Sequence, residues 1–226
     1  MSIDGETRAS TSTAELGGDL PAAEFLYHIC PLDMRGEVLY PLNRLRDSAP
    51  DVYELQVAKY AGRERVLEFR IPLLEVLWND VIHLSPIHPR RLAQAWTDAG
   101  LTSPSGWRRR FFRLPVERIA GLPAVWFASE SMWVNNSPYE EVPLAPPANE
   151  FTWFDPHEYR ELQATPVAYP EYLRAQIELG RRPLLFPKIP HILVEGEIDT
   201  TGLDMVDGRP LDQRTVRRPR CMPCRR

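Results

Sequence analysis

The run Phe25-Leu26-Tyr27-His28-Ile29-Cys30, stopped by Pro31, decides the reading of the fold. Six residues are too few for an independent helix and proline ends the segment, so it reads as a short buried strand presenting one imidazole. Working outward, Val66-Leu67-Glu68-Phe69-Arg70-Ile71 alternates apolar and polar residues up to Pro72 and predicts another strand. A third, Val81 to Ser85, leaves a turn at Asn79-Asp80, where both side chains can bond the local backbone. Arg110 to Leu114 and Ala124 to Ala128 predict two more, joined through Val116 to Gly121, and Ile192 to Ile198 a closing one. Helices are predicted over 51–60, over 90–99 before Gly100, and over 169–179 before Gly180. Asn135 to Phe154, dense in Pro and Asn, reads as a loop. There is no regular βαβ cadence and no glycine-rich turn after a strand, which disfavours Rossmann and P-loop folds. The expectation is an α+β fold with a mixed, mainly antiparallel sheet flanked by short helices.

Composition sets the frame. The chain has 226 residues, long enough for one sizeable core, and 43% of them are hydrophobic, which argues against general disorder. Its 23 prolines predict short elements and rigid turns rather than a bundle. Residues 1–22 are polar and aperiodic and read as a disordered leader; 23–208 read as a single domain; 209–226 read as a basic, disordered tail. That tail holds seven arginines against one acid, Asp212, so it is either a solvated end or a contact for single-stranded nucleic acid. The N-terminus has no secretory pattern and no run approaches a membrane span, so the expectation is a cytoplasmic protein without membrane contact. Three cysteines give no disulfide framework, and Cys221-Met222-Pro223-Cys224 without a second ligand pair is a weak zinc signal.

Five histidines occur, and His28, His83 and His88 fall in the two most distinctive segments. Each is either a satisfied core residue or a site group. His83 and His88 are five apart, not the i, i+4 spacing of a helical zinc pair, and no HExxH is present, so no metal is expected. Cys30 sits two residues from His28, on the same face of an extended strand, and reads as a buried thiol or as a nucleophile. Arg63 and Arg65 form a charged cluster that either faces solvent or clamps a phosphate. Trp126, Trp133 and Trp153 supply either core packing or an apolar acceptor pocket.

Taken in order, these pieces resemble the ADP-ribosyltransferase-like superfamily, and within it the DarT family that modifies single-stranded DNA. Leu26-Tyr27-His28-Ile29-Cys30 is similar to that family's opening LYHIT strand, Asn79 to Pro89 to its DYVPFYF-SPRSPML stretch, Arg110 to Ala128 to its next two strands, and Pro190 to Gly196 to the strand that brings its catalytic glutamate. The resemblance implies NAD as substrate, held between Tyr27-His28 and the segment carrying Asn79 and Ser85, with His28 on the nicotinamide ribose and Arg63 or Arg65 on the phosphates. It also implies ADP-ribosyl transfer to an undetermined acceptor, a nucleic-acid base among them, with release of nicotinamide. The family glutamate falls on His191. Three outcomes follow: His191 serves as acid/base or ligand contact, Glu195 substitutes for the acid, or the domain binds a nucleotide without turnover. A small-molecule tailoring transferase on the same scaffold is a further reading.

Overall fold

A computed structural model of the chain describes residues 24–62, 64–101, 109–130 and 147–209. The leader, Arg63, Trp133 and the tail beyond residue 209, with its CxxC, lie outside them. In chain order the strands are β1 (Phe25–Ile29), β2 (Val38–Leu39), β3 (Val81–Leu84), β4 (Arg110–Pro115), β5 (Ala124–Phe127), β6 (Phe151–Trp153), β7 (His191–Glu195), β8 (Ile198–Asp199) and β9 (Asp204–Asp207). The α-helices are α1 (Leu45–Ser48), α2 (Pro50–Val57), α3 (Pro89–Asp98) and α4 (Ala168–Glu178). Every ladder among the described residues is antiparallel, and the one parallel contact is the isolated bridge Ile87–Leu162. The architecture is α+β, with antiparallel sheets and short helices.

The strands form sheets in the orders β1-β4-β9 and β3-β7-β5-β6, with β2-β8 as a separate pair. One seam joins the two larger sheets. Tyr27 N–H donates to the Ser85 carbonyl at 2.9 Å, and Ser85 N–H returns a bond to the Tyr27 carbonyl at 2.8 Å. Strand alternation then sorts the side chains. Leu26, paired with Leu114, and Ile82 and Leu84, paired with Val194 and Ile192, enter one apolar cluster. Val81, Leu193, Val125 and Phe127 face the other way and pack under Val66, Phe69 and Ile71.

That covering segment differs from the expected strand over 66–71. It is a 3-10 turn at Glu64–Glu68 followed by the isolated bridge Arg70–Leu77. Val66 and Phe69 are three apart, the period of a 3-10 turn, and both are buried. Leu73 and Glu75 then adopt φ of 72° and 58°, which turns the chain back within a few residues of Pro72. The helix expected over 51–60 ends at Val57 and tightens into 3-10 geometry over Ala58–Tyr60.

The two longer helices close the third cluster. In α3, Pro89 occupies the first turn and the His88 Nδ1 accepts from Arg90 N–H at 3.1 Å, capping the helix. Its buried Leu92, Ala93 and Trp96 meet Tyr169, Tyr172 and Leu173 of α4, spaced to share one helix face. The Trp96 indole N–H donates to the Tyr169 hydroxyl at 2.6 Å, and that hydroxyl donates to the Leu185 carbonyl at 2.8 Å. No described helix is long and apolar enough to cross a membrane.

Candidate functional site: a gap between two strands

Strands β1 and β3 are paired only at Tyr27 and Ser85. Beyond that pair no ladder joins them, and a cavity of about 150 Å³ lies in the gap. His28 and Ile29 of β1 line it, with His83 and Ser85 from the β3 side and His191 from the start of β7. Ile87, Phe111 and Phe186 complete apolar walls. In an antiparallel strand, main-chain groups two residues apart face the same side. Since Tyr27 and Ser85 bond each other, the N–H and C=O of Ile29 and His83 face the gap rather than a ladder partner.

The three imidazoles are neighbours. His83 and His191 ring centroids are 6.2 Å apart, and Phe186 meets the His191 ring at 5.8 Å. Trp78 packs edge-on against His83 at 4.4 Å. The His83 Nε2 lies 2.9 Å from the Trp78 carbonyl. A carbonyl only accepts, so Nε2 carries the hydrogen and Nδ1 keeps the lone pair in the neutral ring.

Burial dominates the electrostatics. It pushes His28 down to about 4, with the nearby His83 adding to the effect and the Ile29 backbone opposing it. Burial also sets His83 at about 4, against a smaller opposite effect from the Trp78 carbonyl. His191 falls to about 3, again through burial first and His83 second. All three rings are therefore neutral at pH 7, each an acceptor and a donor at once. No carboxylate is among the described residues lining the cavity.

A second cavity of about 270 Å³ shares His28 as a wall and extends along Asp33, Arg35, Tyr40 and Ser48 to Val52 of α2. Small-molecule sites occupy roughly 300–1,000 Å³, and each of these two cavities is smaller than that.

The other candidates fall variously. Tyr27 lines the cavity, while its hydroxyl donates to Glu161 Oε1 at 3.0 Å. Burial and the Glu161 charge raise the phenol above its ordinary value. Ser85 also lines the cavity, and its hydroxyl closes a local turn with the Ile87 main chain at 3.2 Å. Asn79 does not: it is 3% exposed, outside the lining, and its carbonyl oxygen accepts from the Tyr60 hydroxyl at 3.0 Å. Its neighbour Asp80 holds the turn, accepting from Leu77 N–H at 2.9 Å and from the Asn43 amide at 2.7 Å. Glu195 sits at the far end of β7, opposite Val81, about 13 Å along the strand from His191 at ~3.3 Å per residue. It is not brought to the cavity. Arg65 is exposed on the 64–68 turn, and Arg63 lies outside the described residues. Cys30 is half-buried against the core with its thiol toward the Pro31 carbonyl. No group of three or more His, Cys, Asp or Glu among the described residues is placed to hold a metal ion.

His191 is the residue whose partners sequence spacing alone could not supply, since His83 is 108 positions upstream in the numbering. Comparisons with protein-family models, with curated proteins and with solved structures give no match.

Proposed function

We propose that the gap between β1 and β3 binds the nicotinamide ribose end of NAD and that the domain transfers ADP-ribose to an acceptor. The observation that carries this reading is the convergence of His28, His83 and His191, from three separate strands, on one cavity at the one seam that joins the sheets among the described residues. These are also the segments that bear the resemblance to ADP-ribosyltransferases. A carboxamide fits the open main-chain edges of Ile29 and His83, which offer both donors and acceptors. His28 is placed for the ribose, where a neutral imidazole can bond a hydroxyl without charge.

In the transfer, the bond from the ribose anomeric carbon to the nicotinamide nitrogen breaks, and its electron pair leaves with nicotinamide. The acceptor lone pair forms the new bond at that carbon. The acceptor proton passes to the lone pair of a neutral imidazole, with His191 the candidate base. A base held near 3 is weak, and no carboxylate faces the developing cation, so this chain supplies mainly positioning. The same absence of a lining carboxylate favours a second reading, NAD binding without turnover.

Incubating the protein with NAD and following nicotinamide separates the two, with His28→Ala as control. Release that the substitution abolishes supports transfer. Calorimetric NAD binding without release supports the binding module, and the absence of both release and binding overturns the NAD reading.

A further inference from the structure

A cavity of about 290 Å³ shares no lining residue with the histidine gap. Trp126 of β5 and Trp153 of β6 form its aromatic walls, and Asp155, Glu158 and Arg160 its ionic ones. Trp153 is 61% exposed, although tryptophan is a side chain that proteins bury for most of its surface. The Arg160 Nη1 already donates to the His157 and Tyr159 carbonyls. Asp155 gives one oxygen to the His157 N–H at 2.8 Å. Among the described residues, neither Asp155 nor Glu158 enters an ion pair. Indole faces beside two carboxylates select an organic cation. A guanidinium suits them best, since its plane stacks on an indole while its edge N–H groups meet a carboxylate.

Outside the described residues, one stretch has that chemistry in quantity. Residues 210–226 carry Arg214, Arg217, Arg218, Arg220, Arg225 and Arg226 against Asp212. Residues 1–23 carry Asp4, Glu6, Glu15 and Asp19 against Arg8, and residues 131–146 carry Glu140 and Glu141 with no Lys or Arg, so charge turns both away.

The basic stretch also reaches. It continues from β9, whose Asp207 pairs with Arg110 at one end of β4. The Tyr159 wall of the cavity donates to the Phe25 carbonyl at 2.8 Å, and Phe25 pairs with Pro115 at the other end of β4. The length of β4 and the two strand spacings from β9 to β1 amount to roughly 20 Å, at ~3.3 Å per residue and ~4.8 Å per strand. An extended chain covers that, plus the length of a tyrosine side chain, in about eight residues, which brings Arg217, Arg218 and Arg220 within range.

We propose that this cavity seats an arginine of the chain's own 210–226 stretch, with its guanidinium against the Trp153 and Trp126 indoles and its N–H groups on Glu158 and Asp155. The assignment does not rest on the NAD reading.

The full chain is compared at low salt with a tail variant carrying Arg214→Gln, Arg217→Gln, Arg218→Gln and Arg220→Gln, through the indole N–H resonances of Trp126 and Trp153. Expected is a difference at both indoles, which a synthetic peptide of residues 210–226 added to the tail variant reverses. Trp153→Ala and Glu158→Gln, each at an exposed position and each introduced into the tail variant, should weaken that peptide by about two- to thirtyfold, the range of a cation–π contact. Indole resonances that are the same in the wild type and the tail variant overturn the proposal. So does a peptide affinity that Trp153→Ala leaves unchanged. Tetramethylammonium that shifts the Trp153 resonance equally in both chains assigns the cavity to a free organic cation and overturns docking of the tail. A wild-type pattern that fades on dilution places a second copy's tail there, and overturns the contact within one chain.

Discussion

His83 and His191 stand on neighbouring antiparallel strands with ring centroids 6.2 Å apart; burial lowers the readiness of both to accept a proton, and His83 adds to that lowering at His191. Protonating one makes protonating the second harder, so the trio with His28 behaves as a coupled set.

The first prediction is acid sensitivity. Each of the three histidines has a folded-state pKa below its ordinary 6.5, so the unfolded chain binds more protons between the two values. Their contribution is fully present above pH 6.5 and is lost as pH falls toward 3 to 4. The slope per histidine is about 1.4 kcal/mol per pH unit. Urea unfolding at pH 7, 6, 5 and 4 should show a steep fall in stability, and His191→Phe should make it shallower. A profile that stays flat from pH 7 to 5 rules out neutral buried imidazoles.

The second follows from the proposed NAD transfer, in which His191 stands where the resemblance puts a catalytic glutamate. On that proposal His191→Glu installs a carboxylate beside the anomeric carbon, facing His83. Nicotinamide release should rise by about tenfold or more over the wild-type chain, at some cost in thermal stability from burying the carboxylate. If the folded variant gives no more nicotinamide than the wild type, His191 does not lie beside the reacting carbon.

Asn79 tests the opposite kind of role. Its carbonyl oxygen serves the Tyr60 hydroxyl under the 66–78 segment. Asn79→Ala removes that bond and should cost about 1 kcal/mol of stability by thermal or urea unfolding. NAD affinity at a temperature where the variant is folded should be unchanged. A selective loss of affinity would place Asn79 in the binding site after all.

A fourth prediction concerns the helix pair. The Tyr169 hydroxyl accepts from Trp96 and donates to the Leu185 carbonyl. Tyr169→Phe removes one oxygen but strands the buried Trp96 N–H and the part-buried Leu185 carbonyl, so the loss should exceed the ~1 kcal/mol of a single bond and reach about 2–3 kcal/mol. A variant within 0.5 kcal/mol of wild type, as a roughly neutral substitution is defined, would mean the pair carries no such network.

Much of the fold was legible where burial and sequence period coincide. The runs that became β1, β3, β4, β5 and β7 are apolar and bounded by Pro, Gly or turn residues, and α3 and α4 carry a buried face with Gly100 or Gly180 just beyond the end. The segment over 66–71 misled because alternation and a spacing of three agree at several positions in so short a run. β6 hid inside a stretch rich in Pro and Asn, and β9 is four residues with acids at both ends, which no apolar pattern announces. The candidate site was readable in part. His28 and Ser85 could be chosen from their own segments, whereas placing His191 next to His83 needs the β3-β7 ladder.

The seam at Tyr27 and Ser85 has a consequence for motion. Only two main-chain bonds hold the larger sheets together at the mouth of the gap, whereas β3 is tied to β7 through four residue pairs. Among the described residues, those two are the main-chain bonds that separation of the sheets has to break. The amide protons of Tyr27 and Ser85 should exchange with solvent at the rate of that parting, ahead of the strands on either side, and slow when a ligand spans the gap. Two protons thus act as a gauge of how often the cleft stands open.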